Sequence, residues 1–137
     1  MLETTIRLDD GWKGHKSGQF AFVIFDKKEG AHPFTIASAW DAGDPRVMFI
    51  TKGVGDYTDH LPQQVEVASK AIVEGPYGGF TCDDSARRQI WIGGGIGITP
   101  FIARMKQLAR MPESQEVDLF LTVTKPAPEA REKLVAH

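Results

Sequence analysis

From residue 4 to residue 74 the apolar positions come in short runs, β-branched or aromatic, separated by clusters of Asp, Lys, Gly and Pro. Such runs read as strands, and no helix of ordinary length fits between them. The pattern predicts strands over 4–8, 19–25, 34–37, 46–52 and 70–74, with turns at Asp26-Lys27-Lys28-Glu29-Gly30 and Asp41-Ala42-Gly43-Asp44-Pro45. Several short strands at this spacing predict a small antiparallel barrel.

Beyond Gly75-Pro76-Tyr77-Gly78-Gly79 the periodicity changes. Gln89-Ile90-Trp91-Ile92 reads as a buried strand, and Gly93-Gly94-Gly95-Ile96-Gly97 as a tight turn. Thr99 is then the N-cap of a helix with Pro100 at its first position. Phe101, Ile102, Met105, Leu108 and Ala109 share one helical face, and Pro112 stops the helix. Val117, Leu119, Leu121 and Val123 alternate as a second strand, with one apolar face left seeking a cover. Residues 89–123 thus have the length of one strand-helix-strand unit whose strands pair in parallel. The boundary between the two patterns falls near Ala86.

Composition narrows the choice of function. Sixteen Lys plus Arg against eighteen Asp plus Glu leave a formal charge of −2, without the basic face a nucleic-acid binder needs. The 42% hydrophobic content is that of a folded domain rather than a disordered chain. One cysteine, Cys82, can close no intramolecular disulfide and supplies no thiolate cluster, which suits a reducing compartment and a cytoplasmic location. No basic-then-apolar leader or membrane-length apolar run occurs. His15, His60 and His137 lack ligand-like spacing, so no metal site is expected.

The glycine turn carries the strongest chemical signal. Between a strand and a helix start, glycines let backbone N–H groups approach a pyrophosphate at the positive end of the helix. It is not a Walker loop, since no Gly-Lys-Ser/Thr follows, nor a strict G-x-G-x-x-G fingerprint, since Ile98 takes the third glycine's place. A structural turn for close strand-helix packing is the alternative. In His32-Pro33-Phe34-Thr35, alternation sets Phe34 and Thr35 on opposite sides of a strand. Taken alone, His32 reads as a surface histidine, Phe34 as a core residue and 52–61 as a solvated loop.

Taken in order, His-Pro-Phe-Thr, Val-Gly-Asp-Tyr-Thr-x-x-Leu, Glu-Gly-Pro-Tyr-Gly and Gly-Gly-Gly-Ile-Gly-Ile-Thr-Pro-Phe resemble the ferredoxin-NADP reductase superfamily. Within it the likeness is to the dehydrogenase domains of ferric reductases and NADPH oxidases, where His replaces the Arg of an Arg-x-Tyr-Ser flavin motif. The resemblance implies a Greek-key flavin-binding barrel over residues 1–86, then the start of a parallel-sheet NAD(P)-binding domain over 87–137. A hydride would pass from NADPH or NADH to FAD, and single electrons onward to an acceptor such as haem or ferric iron. A non-catalytic flavin- or nucleotide-binding module that docks to a partner is the alternative.

Residue by residue, the resemblance sets His32 and Pro33 near the flavin phosphates or ribityl chain, stacks Phe34 on the isoalloxazine and brings Thr35 near its N5 as the catalytic tuner. Gly55, Tyr57 and Thr58 would hold the FAD pyrophosphate. Gly94, Gly95 and Gly97 would meet that of NAD(P)H, with Thr99 towards the nicotinamide. Lys125, in place of an acidic residue at the end of the second strand, would pair with a 2′-phosphate and favour NADPH. The superfamily barrel has six strands and five are legible, so a further strand is expected before Met1, and an upstream segment could join a membrane haem domain. The nucleotide domain is expected to be truncated, with self-association through its sheet edge. An iron-sulfur type is disfavoured by the single cysteine.

Overall fold

The computed structural model describes residues 1–53, 60–61, 65–82, 86–111 and 115–123. Among these, the first five strands are β1 (Leu2–Arg7), β2 (Phe20–Ile24), β3 (His32–Thr35), β4 (Arg46–Thr51) and β5 (Ile72–Tyr77). β1 pairs with β4, and β2 lies between β3 and β5, all antiparallel. After Thr35 the chain leaves β2 and crosses to β4: Ile36 pairs with Phe49, and the Ala37 N–H donates to the Met48 carbonyl at 2.7 Å. That corner links the two sheets into one open, barrel-like wrap, and no pairing between β1 and β5 closes it among the described residues.

Inside the wrap Ala21, Val23, Ile36, Val47 and Phe49 are fully buried, with Ile6, Phe25, Phe34 and Val73 packed around them. Burying each larger side chain contributes roughly 1.5–3 kcal/mol, which is what makes the alternation decisive. Val47, Met48 and Phe49 are buried in succession. β4 is covered on both faces, because Lys106 crosses the side away from the core and brings its Nζ to 3.5 Å from the Met48 sulfur.

The second unit is β6 (Arg88–Gly94), a 3-10 turn (Gly95–Ile98), α1 (Thr99–Leu108) and β7 (Glu116–Thr122). β6 and β7 pair in parallel, Trp91 beside Leu119 and Gly94 beside Thr122. α1 lays Phe101, Met105 and Leu108 on Trp91, Val117 and Leu119, with Phe101 stacked on Trp91 at a centroid distance of 5.1 Å.

Several expectations change. Gly93 and Gly94 belong to β6, so the turn begins at Gly95. Ile98, not Thr99, is the N-cap, and Thr99 is the first helical residue, since the preceding turn already carries the chain into helical geometry. The uncovered apolar face holds Ile90, Ile92 and Phe120 at 67%, 72% and 58% exposure, not Val117 and Leu119. One helix covers one face of a two-stranded sheet, and Trp91 places it on the Val117–Leu119 side. β5 also runs three residues past Glu74, through the cis Gly75–Pro76 peptide. Among the described residues no helix is long and apolar enough to cross a membrane.

Candidate functional site

Register decides what β3 presents. Phe34 stands opposite fully buried Ala21, and its ring lies 6.4 Å from that of Phe25 and 6.2 Å from that of Phe49. It is therefore a part-buried member of the core layer. Pro33 and Thr35 stand opposite Phe22 and Phe20, on the other face. There Phe20, Phe22 and Tyr77 pack edge to face or tilted with centroids 5.7–5.9 Å apart. Tyr77 is 39% exposed, so this is an aromatic surface open to solvent with Thr35 at its margin. The Tyr77 hydroxyl donates to Glu74 Oε1, which raises the phenol above its ordinary pKa. His32 lies opposite Val23, with Nε2 3.2 Å from the Glu29 carbonyl oxygen.

The strand-to-helix turn is open. Gly95 has φ +52°, in the left-handed region glycine tolerates, and a Cβ at Gly95 or Gly97 would meet no atom within 4 Å. α1 starts with no side-chain cap and no acidic residue in its first turn. Within that turn the Thr99 N–H already donates to the Ile96 carbonyl and Pro100 has no N–H, so the N–H groups that suit a phosphate are those of the glycine turn ahead of α1, which has no side-chain cap either. Thr99 contributes differently: it is 1% exposed, and its hydroxyl donates to the Ile96 carbonyl at 2.7 Å, closing the turn. Gly94, the residue before Gly95, sits where a Cβ would stand 3.3 Å from Thr122 Oγ1.

Residues 75–82 connect these surfaces. Tyr77 belongs to the aromatic face, and the Gly78 carbonyl accepts from Gln19 Nε2 at 3.3 Å. Any side chain at Gly18 would collide with the Phe80 carbonyl, so the two backbones are in close contact. Phe80 meets Phe101, in the first turn of α1, edge to face at 6.1 Å. The structure thereby joins the face bearing Thr35 to the helix behind the glycine turn. Gly55, Tyr57, Thr58 and Lys125 lie outside the described residues. A cleft of about 250 Å³, lined by Ser38, Asp41, Arg46, Met48, Lys106 and Arg110 among others, involves none of the residues predicted from sequence.

Sequence reasoning gives no role to Phe20, Phe22 or Phe80, and Tyr77 enters it only within Glu-Gly-Pro-Tyr-Gly. Phe20 and Phe22 sit two apart in one strand, the spacing of a shared face, and that was the available signal. An open aromatic face and an uncapped, glycine-lined helix start fit an isoalloxazine ring and a pyrophosphate respectively.

An antiparallel wrap followed by a parallel strand-turn-helix-strand unit is the fold of the ferredoxin-NADP reductase superfamily. A ferredoxin-NADP+ reductase from Neisseria gonorrhoeae, solved with bound FAD and NADP, matches 98% of this chain and 56% of its own at a TM-score of 0.73 and 18% identity. The ferredoxin reductase in carbazole 1,9a-dioxygenase matches 90% of this chain and 38% of its own, at 0.70 and 22%. Residues 1–81 match the family described as FAD-binding domain, and the chain belongs to it. Among curated relatives, ferric reduction oxidase 8, mitochondrial, of Arabidopsis thaliana is 31% identical over 105 residues, 67% of this chain. The carnitine monooxygenase reductase subunit of Escherichia coli K12 is 38% identical over 80 residues, 56% of this chain. The chain spans only 14% and 24% of the length of these two relatives.

Proposed function

We propose that this chain is the flavin-binding and nucleotide-docking part of an NAD(P)H-oxidising electron-transfer flavoprotein of ferric-reductase type. The observation that carries the reading is one continuous arrangement: Thr35 and the aromatic face, residues 75–82, and the uncapped glycine-lined start of α1, in a chain of the FAD-binding family. The ferric-reductase type is supported by His32-Pro33-Phe34-Thr35 and by the 31% identity to the Arabidopsis oxidase.

FAD held there would supply the exchange between two-electron uptake from a reduced nicotinamide and single-electron release, while the protein supplies binding, orientation and electrostatics. In this reading the part-exposed edge of Phe34 and the hydroxyl of Thr35 address the isoalloxazine, and His32 and Pro33 its phosphate side. Gly55, Tyr57 and Thr58 hold the FAD pyrophosphate. Gly95 and Gly97 leave room for that of NAD(P)H, Gly94 meets it through its backbone, the Thr99 hydroxyl holds the turn in shape, and Lys125 selects NADPH. Residues 1–86 form the flavin unit and 87–137 the nucleotide unit. The acceptor is a separate domain or protein, with haem or ferric iron as its redox group. With Ile90, Ile92 and Phe120 bare, the 137-residue chain by itself self-associates and turns NAD(P)H over poorly.

Anaerobic titration of the FAD-loaded protein with NADPH and with NADH tests the proposal. Slow bleaching of the flavin absorbance is expected. A flavin bound but bleached by neither nucleotide would point instead to a non-catalytic module that docks to a partner.

A further inference from the structure

A polar chain crosses the seam between the antiparallel wrap and α1. The Ser17 hydroxyl donates to Gln107 Oε1 at 3.0 Å, and the same oxygen accepts Arg104 Nη1 at 3.0 Å. Arg104 Nη2 donates to Gln115 Oε1 at 2.9 Å, and Gln115 Nε2 donates to the Ala86 carbonyl at 3.1 Å. Ser17 and Arg104 are 3% and 5% exposed. The route starts just before β2, passes through the last turn of α1 and ends in the connection entering β6. Ser17 is itself held, because its carbonyl accepts the Cys82 N–H at 3.3 Å.

We propose that Gln107 is a positioning residue for electron transfer, its Oε1 fixing the tilt of α1, and with it the glycine turn, relative to the flavin face. The inference rests on the reading of the chain as an NAD(P)H-oxidising flavoprotein. The other seam contacts described constrain tilt weakly. Phe80 on Phe101 is an apolar pivot near the start of the helix, Lys106 on Met48 is a soft contact, and Arg110 to Asp41 is an exposed ion pair at 3.4 Å. Gln107 is six residues beyond Phe101, about 9 Å along the axis, far enough to act as the second point that sets an angle. Two donors converging on one buried-side oxygen orient the amide, and partial loss of such a network leaves its members unsatisfied. Transfer between two bound rings needs contact near 3–3.5 Å, so a shift of about 1 Å at the glycine turn is costly.

The test uses the full chain loaded with FAD. Gln107→Met keeps length and volume but removes the acceptor, whereas Gln107→Glu keeps an acceptor oxygen for both donors. In Gln107→Met, amide exchange across residues 99–108 should rise severalfold while 20–24 and 46–51 stay unchanged, with FAD affinity within twofold of the parent. Flavin reduction at saturating NADPH should slow about 10- to 100-fold. Gln107→Glu should restore both. Unchanged exchange in α1, or raised exchange with an unchanged reduction rate, overturns the inference. Should Gln107→Met fail to fold, Ser17→Ala removes one hydroxyl from the same network, and unaltered exchange there overturns it equally. A parent protein whose flavin neither NADPH nor NADH bleaches would refute the proposed function instead, and the exchange comparison alone would then decide whether Gln107 holds the seam.

Discussion

Replacing Phe34 with alanine separates the two duties that β3 imposes on that ring. On the core side it packs against Phe25 and Phe49 above fully buried Ala21. A fully buried Phe→Ala change costs about 3–5 kcal/mol, and for this part-buried ring we expect roughly 2–3 kcal/mol of apo stability. On the ligand side, losing a large aromatic contact should weaken FAD by roughly 1–3 kcal/mol, about 5- to 150-fold in Kd. Urea unfolding of the apo protein measures the first, and flavin fluorescence titration, at a temperature where both proteins are folded, measures the second. Phe34→Leu is the control: it retains most of the core volume but no ring, so stability should largely survive while FAD affinity falls. An apo protein destabilised as expected whose FAD Kd is unchanged in both variants would refute the reasoning. Phe34 would then be core alone, and Thr35 with the Phe20, Phe22 and Tyr77 face would carry the flavin without it.

Four further outcomes are expected. Calorimetry should rank FAD well above FMN and riboflavin; equal affinities would remove the pyrophosphate seat at Gly55, Tyr57 and Thr58. In the complete parent protein, Lys125→Ala should lower the NADPH-to-NADH preference, and an unchanged ratio counts against a 2′-phosphate contact. Burial depresses the His15 pKa below 6.5, partly offset by its 2.9 Å contact to the Ser38 carbonyl, so the folded state resists a proton that the unfolded chain accepts. Stability should be complete above pH 6.5 and fall as pH drops below it, by at most about 1.4 kcal/mol per pH unit from this group, and His15→Gln should flatten that slope in urea melts. Sedimentation should show concentration-dependent self-association that Phe120→Lys abolishes, because Phe120 is the central exposed ring beside Ile92; a strictly monomeric parent chain would contradict it.

Short apolar runs between turn clusters, with alternation for β7, were enough to find every described strand, although β3 lies at His32–Thr35 rather than 34–37. Patterning failed where a local rule was outvoted by position. Gly75-Pro76 reads as a break, yet among the described residues β5 pairs only with β2, and on such an edge a proline without an N–H costs the sheet nothing. Gly93 and Gly94 read as turn, yet they are strand residues kept small by the Ile98 backbone and the Thr122 hydroxyl that press on them. The parity of β6 and β7 was legible, but which parity α1 covers depends on Trp91 stacking with Phe101. The site divides the same way. Three of the four motifs fall on β3, residues 75–78 and the glycine turn, the pieces the structure joins, and strand parity separated Phe34 from Thr35. The aromatic face required Tyr77 to arrive beside Phe20 from a distant strand. Least legible was the seam, since Ser17 and Gln107 stand 90 residues apart and neither carries an apolar or charged signature. Helical periodicity says that Phe101, Met105 and Leu108 face inward. Whether Arg104 and Gln107, on the flank of that stripe, meet water or another part of the protein is a property of how the wrap and the helix are docked, and it is there that an orienting contact can be lost without disturbing either fold.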